Sequence, residues 1–503
     1  MIRFFVLGLR SLFPCYKMTS TLKQKTATGL FWGGFSSGVQ QLIGFVFGIY
    51  LARILDAKDY GLYGMLTIFT AIASTIINSG FSIALTNKQN ANHQDYNAVF
   101  WFTFFVGLFL YIVLFFTAPL IAKFYNEPAL VNLSRFLFIS FFFGGLGTVS
   151  YTVMFKKMMV KHQAIIDTVA LFTAMSVGII AAIKGLAYWA LAIQSVIQIS
   201  LSSLLRFLIA PWKPAWKFRW SPIKEMFSFS SKVFITNLFV QINNNFLFVI
   251  IGKLFNKEQV GIYSQGQKWA SMGNQLIGGM INSIAQPVLV QINNDKQRQV
   301  NALRKMIRFG AFISFPMMLG LAFIGKEFIV ITIGEKWLPS VPFLQLFCIW
   351  TAFAYLLNLF TNVVYTHGKS DIYMKITILT GLVQLTAVLC FYPLGLFWMV
   401  VAFVGVSFVA LLLWQRYVYQ LIELKLRDVL KDIFPYLGIT AICLLIAWMA
   451  TIKIQNIYWL LVAKVTISAV LYIFVMKISR SVIFRESMEF LMNFFKKAEN
   501  NDN

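Results

Sequence analysis

Apolar residues run along this chain in blocks of about twenty, divided by short polar turns. That length fits helices crossing a hydrocarbon layer at 1.5 Å per residue. The blocks predict about fourteen membrane helices. Six lie near Gly29–Tyr50, Leu62–Ala84, Ala98–Ala122, Phe136–Phe155, Ala164–Ile183 and Leu186–Leu208. Six more lie near Phe234–Gly252, Gln265–Leu289, Phe309–Ile331, Phe343–Tyr365, Ile376–Tyr392 and Leu396–Trp414, and a final pair near Ile433–Ala450 and Ile457–Met476. Inside the apolar blocks, polar residues recur at helical spacing and form stripes. The second span carries Thr67, Thr70, Ser74, Asn78 and Ser82; the seventh carries Asn237, Gln241, Asn244 and Asn245; the eighth carries Lys268, Ser271, Gln275, Asn282 and Gln286. Stripes of this kind either glue helices together, at about 0.6–2 kcal/mol per hydrogen bond, or line a water-filled cavity. Their matched placement in both halves of the chain favours the cavity.

The halves match because the chain is internally duplicated. Leu51–Gly64 lies over Ile251–Ser264 without a gap: Gly61 falls on Gly261, Tyr63 on Tyr263, Arg53 on Lys253 and Asp56 on Asn256. The same register sets Gln41 on Gln241 and Ser37 on Asn237. Each copy follows the first apolar block of its half, so equivalent helices enter the membrane in the same direction. This predicts an all-α polytopic protein with two parallel-repeat six-helix lobes and a central site between them. The expected organisation is a tail over 1–27, an N-lobe over 28–210, a basic linker over 211–228, a C-lobe over 229–420, an extra helix pair over 421–480 and a tail over 481–503.

Composition agrees: 59% of the 503 residues are hydrophobic and 12% charged, with mean hydropathy +0.73. The formal charge of +25 would suggest nucleic acid if it were gathered on one face. Instead the basic residues collect in the tails and alternate turns, which places both termini in the cytoplasm by the positive-inside rule and removes nucleic acid as a partner. The four cysteines are scattered and read as apolar filler rather than a disulfide frame. Residues 1–17 resemble a weak signal sequence interrupted by Arg10, and Met18 is the preferred start. Three histidines at or beside turns give no metal site, and no cofactor is expected.

Gly29-Leu-Phe-Trp32, the turn Leu51–Tyr63, Gly261–Ser264, Phe315–Leu321 and Gly334-Glu-Lys-Trp-Leu-Pro339 together resemble the bacterial polysaccharide flippases. These belong to the multidrug, oligosaccharidyl-lipid and polysaccharide exporter superfamily, whose multidrug members give the fold its MATE-like description. The resemblance runs from about Thr26 to Arg416 and loosely beyond. It implies two six-helix lobes plus a helix pair, in the bacterial inner membrane. The implied substrate is an undecaprenyl-diphosphate-linked oligosaccharide moved to the periplasmic leaflet, with polysaccharide polymerase and chain-length machinery as candidate partners.

Such a substrate needs a cation for its diphosphate, polar walls for its sugars and a gap to lipid for its tail. Lys268 is the expected diphosphate partner. The cavity is expected to draw on Gln41, Thr70, Ser74, Asn78, Asn237, Gln241, Asn244, Asn245, Ser271, Gln275 and Asn282. Arg53 and Lys253 are expected to gate the outer end by pairing with Asp56, Asp59 or Glu258. Asp167, read as the only acid within a span of the two lobes and within reach of Lys161 or His162, is the candidate for ion coupling. Lys326 and Glu327 are read as outer-turn residues. The rivals are a cation-coupled multidrug exporter, a membrane polymerase or ligase of the same pathway, and a passive scaffold. The short outer turns and the lack of catalytic motifs weigh against an enzyme.

Overall fold

The computed structural model describes residues 22–78, 80–292, 295–479, 483–486 and 489, with side chains from 32 onward save those of 232, 282–284, 286, 287, 290, 291 and 370. Most of both expected tails, and the side chains of Asn282 and Gln286, therefore lie outside the described residues. Among the described residues all regular structure is helical. The first half comprises α1 (Leu22–Ile54), α2 (Ala57–Met65), α3 (Thr67–Asn78), α4 (Phe81–Asn87), α5 (His93–Tyr125), α6 (Leu130–Leu137), α7 (Ile139–Lys156), α8 (Val160–Ile183) and α9 (Trp189–Ile209). The second half comprises α10 (Ser221–Leu254), α11 (Lys257–Gln291), α12 (Lys296–Phe323), α13 (Gly325–Thr332), α14 (Val341–Thr366), α15 (Ser370–Phe391) and α16 (Leu396–Ile422), with a 3-10 turn over Glu335–Ser340. The last pair is α17 (Leu426–Thr451) and α18 (Ile457–Ile478).

Thirteen of the described spans are long and apolar enough to cross a membrane. The expected eighth span corresponds to α11, whose 35 residues reach about 52 Å at the helical rise. Its glutamines, Asn274 and Lys268 keep it below the apolar threshold met by the others. Three expected spans are broken. The second divides into α2, α3 and α4, the last break falling beside Gly80, whose φ of +70° suits glycine. A Cβ there would lie 2.5 Å from the Ser230 carbonyl oxygen. The fourth breaks at Phe138 and the ninth at Ile324.

Helices of the first half pack mainly on one another, α8 against α1 and α9, and α7 against α5 and α9. At the α5–α7 crossing, Cβ atoms on Gly107 and Gly145 would come within 2.6 Å of the Phe141 and Thr103 carbonyl oxygens. Such close backbone approach is how helices associate where there is no water to expel. In the second half α14 is the hub, touching α11, α12 and α16. Between halves, α11 crosses α2, and α10 lies along α3.

The last pair packs on α12 and α13, fastened by two ion pairs. Arg304 donates to both carboxylate oxygens of buried Asp432, at 2.7 and 3.1 Å. Lys464 donates to Glu327 at 2.8 Å with both side chains nearly buried. This corrects the reading of Glu327 as an outer-turn residue: the break at Ile324 starts a new helix, and its first turn carries Glu327 inward. Asp167 is therefore not the only acid within a span.

Candidate functional site

The duplicated turns meet each other. A Cβ on Gly61 would fall 1.6 Å from the carbonyl oxygen of Lys257, and one on Gly261 would fall 1.8 Å from that of Ala57. Each repeat's glycine thus receives the first residue of the other repeat's helix, and α2 and α11 cross with backbones in contact. The amino acid common to both copies at this point is the one that leaves room for its partner.

Around this crossing the halves exchange further contacts. Arg53, at the end of α1, donates to the Ile331 and Thr332 carbonyls at 2.6 Å each, closing the orphan C-terminal groups of α13. Its repeat counterpart Lys253 donates to the Phe124 carbonyl at 2.7 Å, capping the end of α5. Lys336 bonds Asp56 at 2.9 Å and the Arg53 and Leu55 carbonyls at 3.0 and 2.8 Å. Lys257 bonds Glu127 at 2.8 Å. Trp337, fully buried, donates its indole N–H to the Ala52 carbonyl at 2.8 Å and meets Tyr60 edge to face. The pairing expected for Arg53 and Lys253 is thus corrected: both cap carbonyls rather than bind Asp56, Asp59 or Glu258, because helix ends of the opposite half are nearer than the acids of their own turns. The Gly334–Pro339 segment contributes through Lys336 and Trp337.

Directly beneath this closed end lies a chamber of about 400 Å³ bounded by both halves. Tyr60, Tyr63, Gly48 and Thr67 face it from the first half with Gln194 and Ser195, and Ser264, Gln267, Lys268 and Ser271 from the second. Lys268 sits over the Tyr60 and Trp269 rings at 5.8 and 5.1 Å, and among the described residues no carboxylate lies within ion-pair distance of it. The Tyr63 hydroxyl and Ser195 share a hydrogen bond of 2.7 Å. Gln194 Oε1 in the lining is buried with no partner in the structure, as is Trp269 Nε1 outside it, and the buried Tyr60 hydroxyl has the Gln265 amide as its neighbour. A buried polar atom without a partner costs roughly 1–3 kcal/mol. Within the lining, the Lys268 ammonium and the Tyr60 hydroxyl can donate to an anion while Gln194 Oε1 accepts, so the chamber suits a polar ligand carrying both a negative charge and donor groups.

The structure gathers some of the sequence-predicted residues here and disperses others. Lys268 and Ser271 line the chamber. Gln41 donates to Gln275 at 2.8 Å across the two halves. Ser74, Asn78, Asn237, Asn244 and Gln275 are exposed, farther from the closed end. Thr70 turns its hydroxyl to the Thr67 carbonyl, Asn78 bonds Ser74 O, and Asn245 bonds Gln241 O, so these satisfy their own helices. Asp167 is bonded by Arg206 of α9, not by Lys161 or His162.

Asn244 belongs to a second cavity, of about 310 Å³, enclosed by α10, α14, α15 and α16. Asn243, Asn358, Thr377, Thr380, Gln384 and Ser407 line it beside Trp350, Phe403 and Trp414. Sequence reading took Asn244 from this group but passed over Asn358 on α14 and the helically spaced Thr377, Thr380 and Gln384 on α15, which are embedded in long apolar runs. Tyr60, Tyr63 and Gln194 were missed for another reason: the tyrosines sit in what reads as a turn, and Gln194 is isolated.

Comparison with known proteins agrees with this architecture. The polysaccharide biosynthesis protein family matches residues 50–342. The teichuronic acid biosynthesis protein TuaB of Bacillus subtilis is 25% identical over 360 residues, covering 71% of this chain and 74% of its own. The lipopolysaccharide biosynthesis protein WzxC of Escherichia coli is 22% identical, covering 65% and 67%. Among solved structures, the lipid II flippase MurJ in an inward closed conformation aligns with a TM-score of 0.72 at 16% identity, over 90% of this chain and 99% of that one. An inward-facing MATE family multidrug transporter aligns at 0.59 and 13%, over 76% and 95%. With the family matching more than half its length, the chain belongs to the polysaccharide biosynthesis protein family.

Proposed function

We propose that this protein flips undecaprenyl-diphosphate-linked oligosaccharides from the cytoplasmic to the periplasmic leaflet of the bacterial inner membrane, for surface polysaccharide synthesis. The observation that carries the reading is the chamber: polar walls, one ammonium without a carboxylate, and a roof made of two repeats that rest on each other. In this reading the closed end is periplasmic and the structure is the cytoplasm-open state of two lobes, 28–210 and 229–420. Lys268 takes the diphosphate, with the Tyr60 hydroxyl as a neighbouring donor. Exposed Ser74, Asn78, Asn237 and Gln275 hydrate or bond the sugars below it, while Asn244 is left to the second cavity. Arg53, Asp56 and Lys253, with Lys257, Lys336 and Trp337, form the gate that separates when the lobes rock. Asp167 is the coupling residue: a proton or cation taken by its carboxylate releases Arg206 and so alters the α8–α9 packing.

Export of organic cations fits less well, since among the described residues no acid lines the chamber. The test is leaflet exchange of a labelled undecaprenyl-diphosphate oligosaccharide in proteoliposomes. Wild type should support it, Lys268→Ala should lose at least tenfold, and Lys268→Arg should retain an intermediate rate. Unchanged exchange in folded Lys268→Ala protein would refute the chamber assignment, and no exchange by wild type with several glycans would refute the flippase reading.

A further inference from the structure

The segment joining the halves, Pro211–Trp220, has a composition the transport reading does not use. Between positions 211 and 224 it carries four cations and no acid, interleaved with Trp212, Trp216, Phe218 and Trp220. A loop with that many aromatic rings would be expected to bury them. Instead Trp216 is 92% exposed, and Phe218 and Trp220 are exposed with it. Lys217, Arg219 and Lys224 are exposed between and beside them.

The exposure is held by design of the backbone. Asn97 of α5 brackets the segment, accepting from the Ala215 N–H at 2.8 Å and donating to the Lys217 carbonyl. Trp101 donates its indole N–H to the Ala215 carbonyl at 2.9 Å, and Trp212 donates to His93 at 3.1 Å. These anchors sit in the first turns of α5, where His93-Gln-Asp-Tyr-Asn97 gives way to the apolar run that follows. The segment is therefore strapped along the polar-to-apolar boundary, the depth at which a helix leaves hydrocarbon for headgroups. Exposed Phe227 and Phe229 continue the aromatic surface onto the start of α10.

We infer that residues 211–224 form an interfacial anchor that seats its aromatic rings among the headgroups of the cytoplasmic leaflet and pairs its cations with anionic lipid phosphates. Tryptophan is the side chain that belongs at that depth, with an apolar body and one polar tip. Clustered lysine and arginine at the cytoplasmic surface are attracted by anionic lipid over about a Debye length. Lys213 is turned onto the Phe207 and Leu208 carbonyls and the neighbouring Glu225 is paired with Lys88, so the exposed Lys217, Arg219 and Lys224 choose an anionic lipid over a zwitterionic one. Because the strap is the covalent joint between the halves, its seating fixes the level at which they are connected.

The proposal rests on the cytoplasmic placement of the strap, and the experiment separates that from the anchor itself. The full chain, with native cysteines replaced, carries an environment-sensitive dye at Trp216→Cys in vesicles of phosphatidylcholine or of phosphatidylglycerol, each with acyl-brominated lipid. Expected are at least twofold stronger bromine quenching in phosphatidylglycerol than in phosphatidylcholine, and protection from aqueous iodide. The triple change Lys217→Gln, Arg219→Gln, Lys224→Gln should erase the difference between lipids while leaving protein yield and thermal unfolding unchanged. Equal quenching in both lipids would overturn recognition of lipid charge. Free iodide access in both would overturn the anchor, and with cross-linking at this position to a protein in native membranes would assign the surface to a protein partner. A membrane-impermeant thiol reagent labelling Trp216→Cys in right-side-out vesicles would instead overturn the orientation.

Discussion

Substituting either repeat glycine tests the closed end. In Gly61→Ala the new methyl would lie 1.6 Å from the Lys257 carbonyl oxygen, where real Cβ contacts do not fall below 3.0 Å. The obstacle is backbone on the first turn of α11, not a side chain that can swing away, so the crossing must open by roughly 1.4 Å, in a packing that tolerates little. Overpacking of this kind costs about 1–3 kcal/mol, which biases the closed arrangement by roughly 5- to 150-fold. Gly261→Ala meets the Ala57 carbonyl at 1.8 Å and should act similarly. Since both changes open the same crossing, their effects should not add. Spin labels on Lys58→Cys and Glu258→Cys, exposed equivalents in the two repeats, would report the distance across the closed end by pulsed electron paramagnetic resonance. The expected result is a longer-distance population that grows in either variant. Gly405→Ala in α16, where a Cβ would meet nothing within 4 Å, should leave the distribution unchanged and gain up to about 1 kcal/mol of helix stability. A wild-type distribution in both repeat variants would refute the claim that glycine contact holds the end shut.

Two further outcomes concern buried charge. Removing one partner of the Lys464–Glu327 pair, as in Lys464→Met, should cost about 3–5 kcal/mol by stranding a carboxylate in the bundle, while Lys464→Met with Glu327→Leu should recover most of it. Thermal unfolding in detergent reads both, and additive losses in the double variant would show that the two do not act as a pair. Asp167→Asn should abolish the dependence of leaflet exchange on an imposed proton or sodium gradient while leaving passive exchange intact. Gradient dependence surviving in that variant would move the coupling role elsewhere.

The sequence carried the fold to the extent that its signals were local or periodic. The apolar blocks marked the hydrophobic stretch of most helices but not their polar extensions, as at Ser221–Leu254 and Lys296–Phe323, which start well before the expected Phe234 and Phe309, and the 200-residue register identified the two turns that meet. The break at Phe138 left no mark, since apolar residues continue through it, whereas Gly325-Lys326-Glu327 after Ile324 read as a polar turn rather than as the start of a new helix. Of the striped residues, Lys268 and Ser271 line the chamber, but periodicity cannot say whether Thr70 or Asn78 faces a chamber or bonds its own backbone. Ion pairs such as Arg304–Asp432, 128 residues apart, have no sequence period at all. Arg53 and Lys253 have partners other than those expected, because capping of a distant helix end is a tertiary fact.

The reciprocal crossing of Gly61 and Gly261 has an implication for symmetry. A contact in which residue i of one unit meets j of the other, while j of the first meets i of the second, is the signature of an isologous pair with two-fold symmetry. Here the two units share one polypeptide, joined by Pro211–Trp220. The closed end has the form of a homodimer interface built within one chain, each half supplying the glycine that lets the other approach.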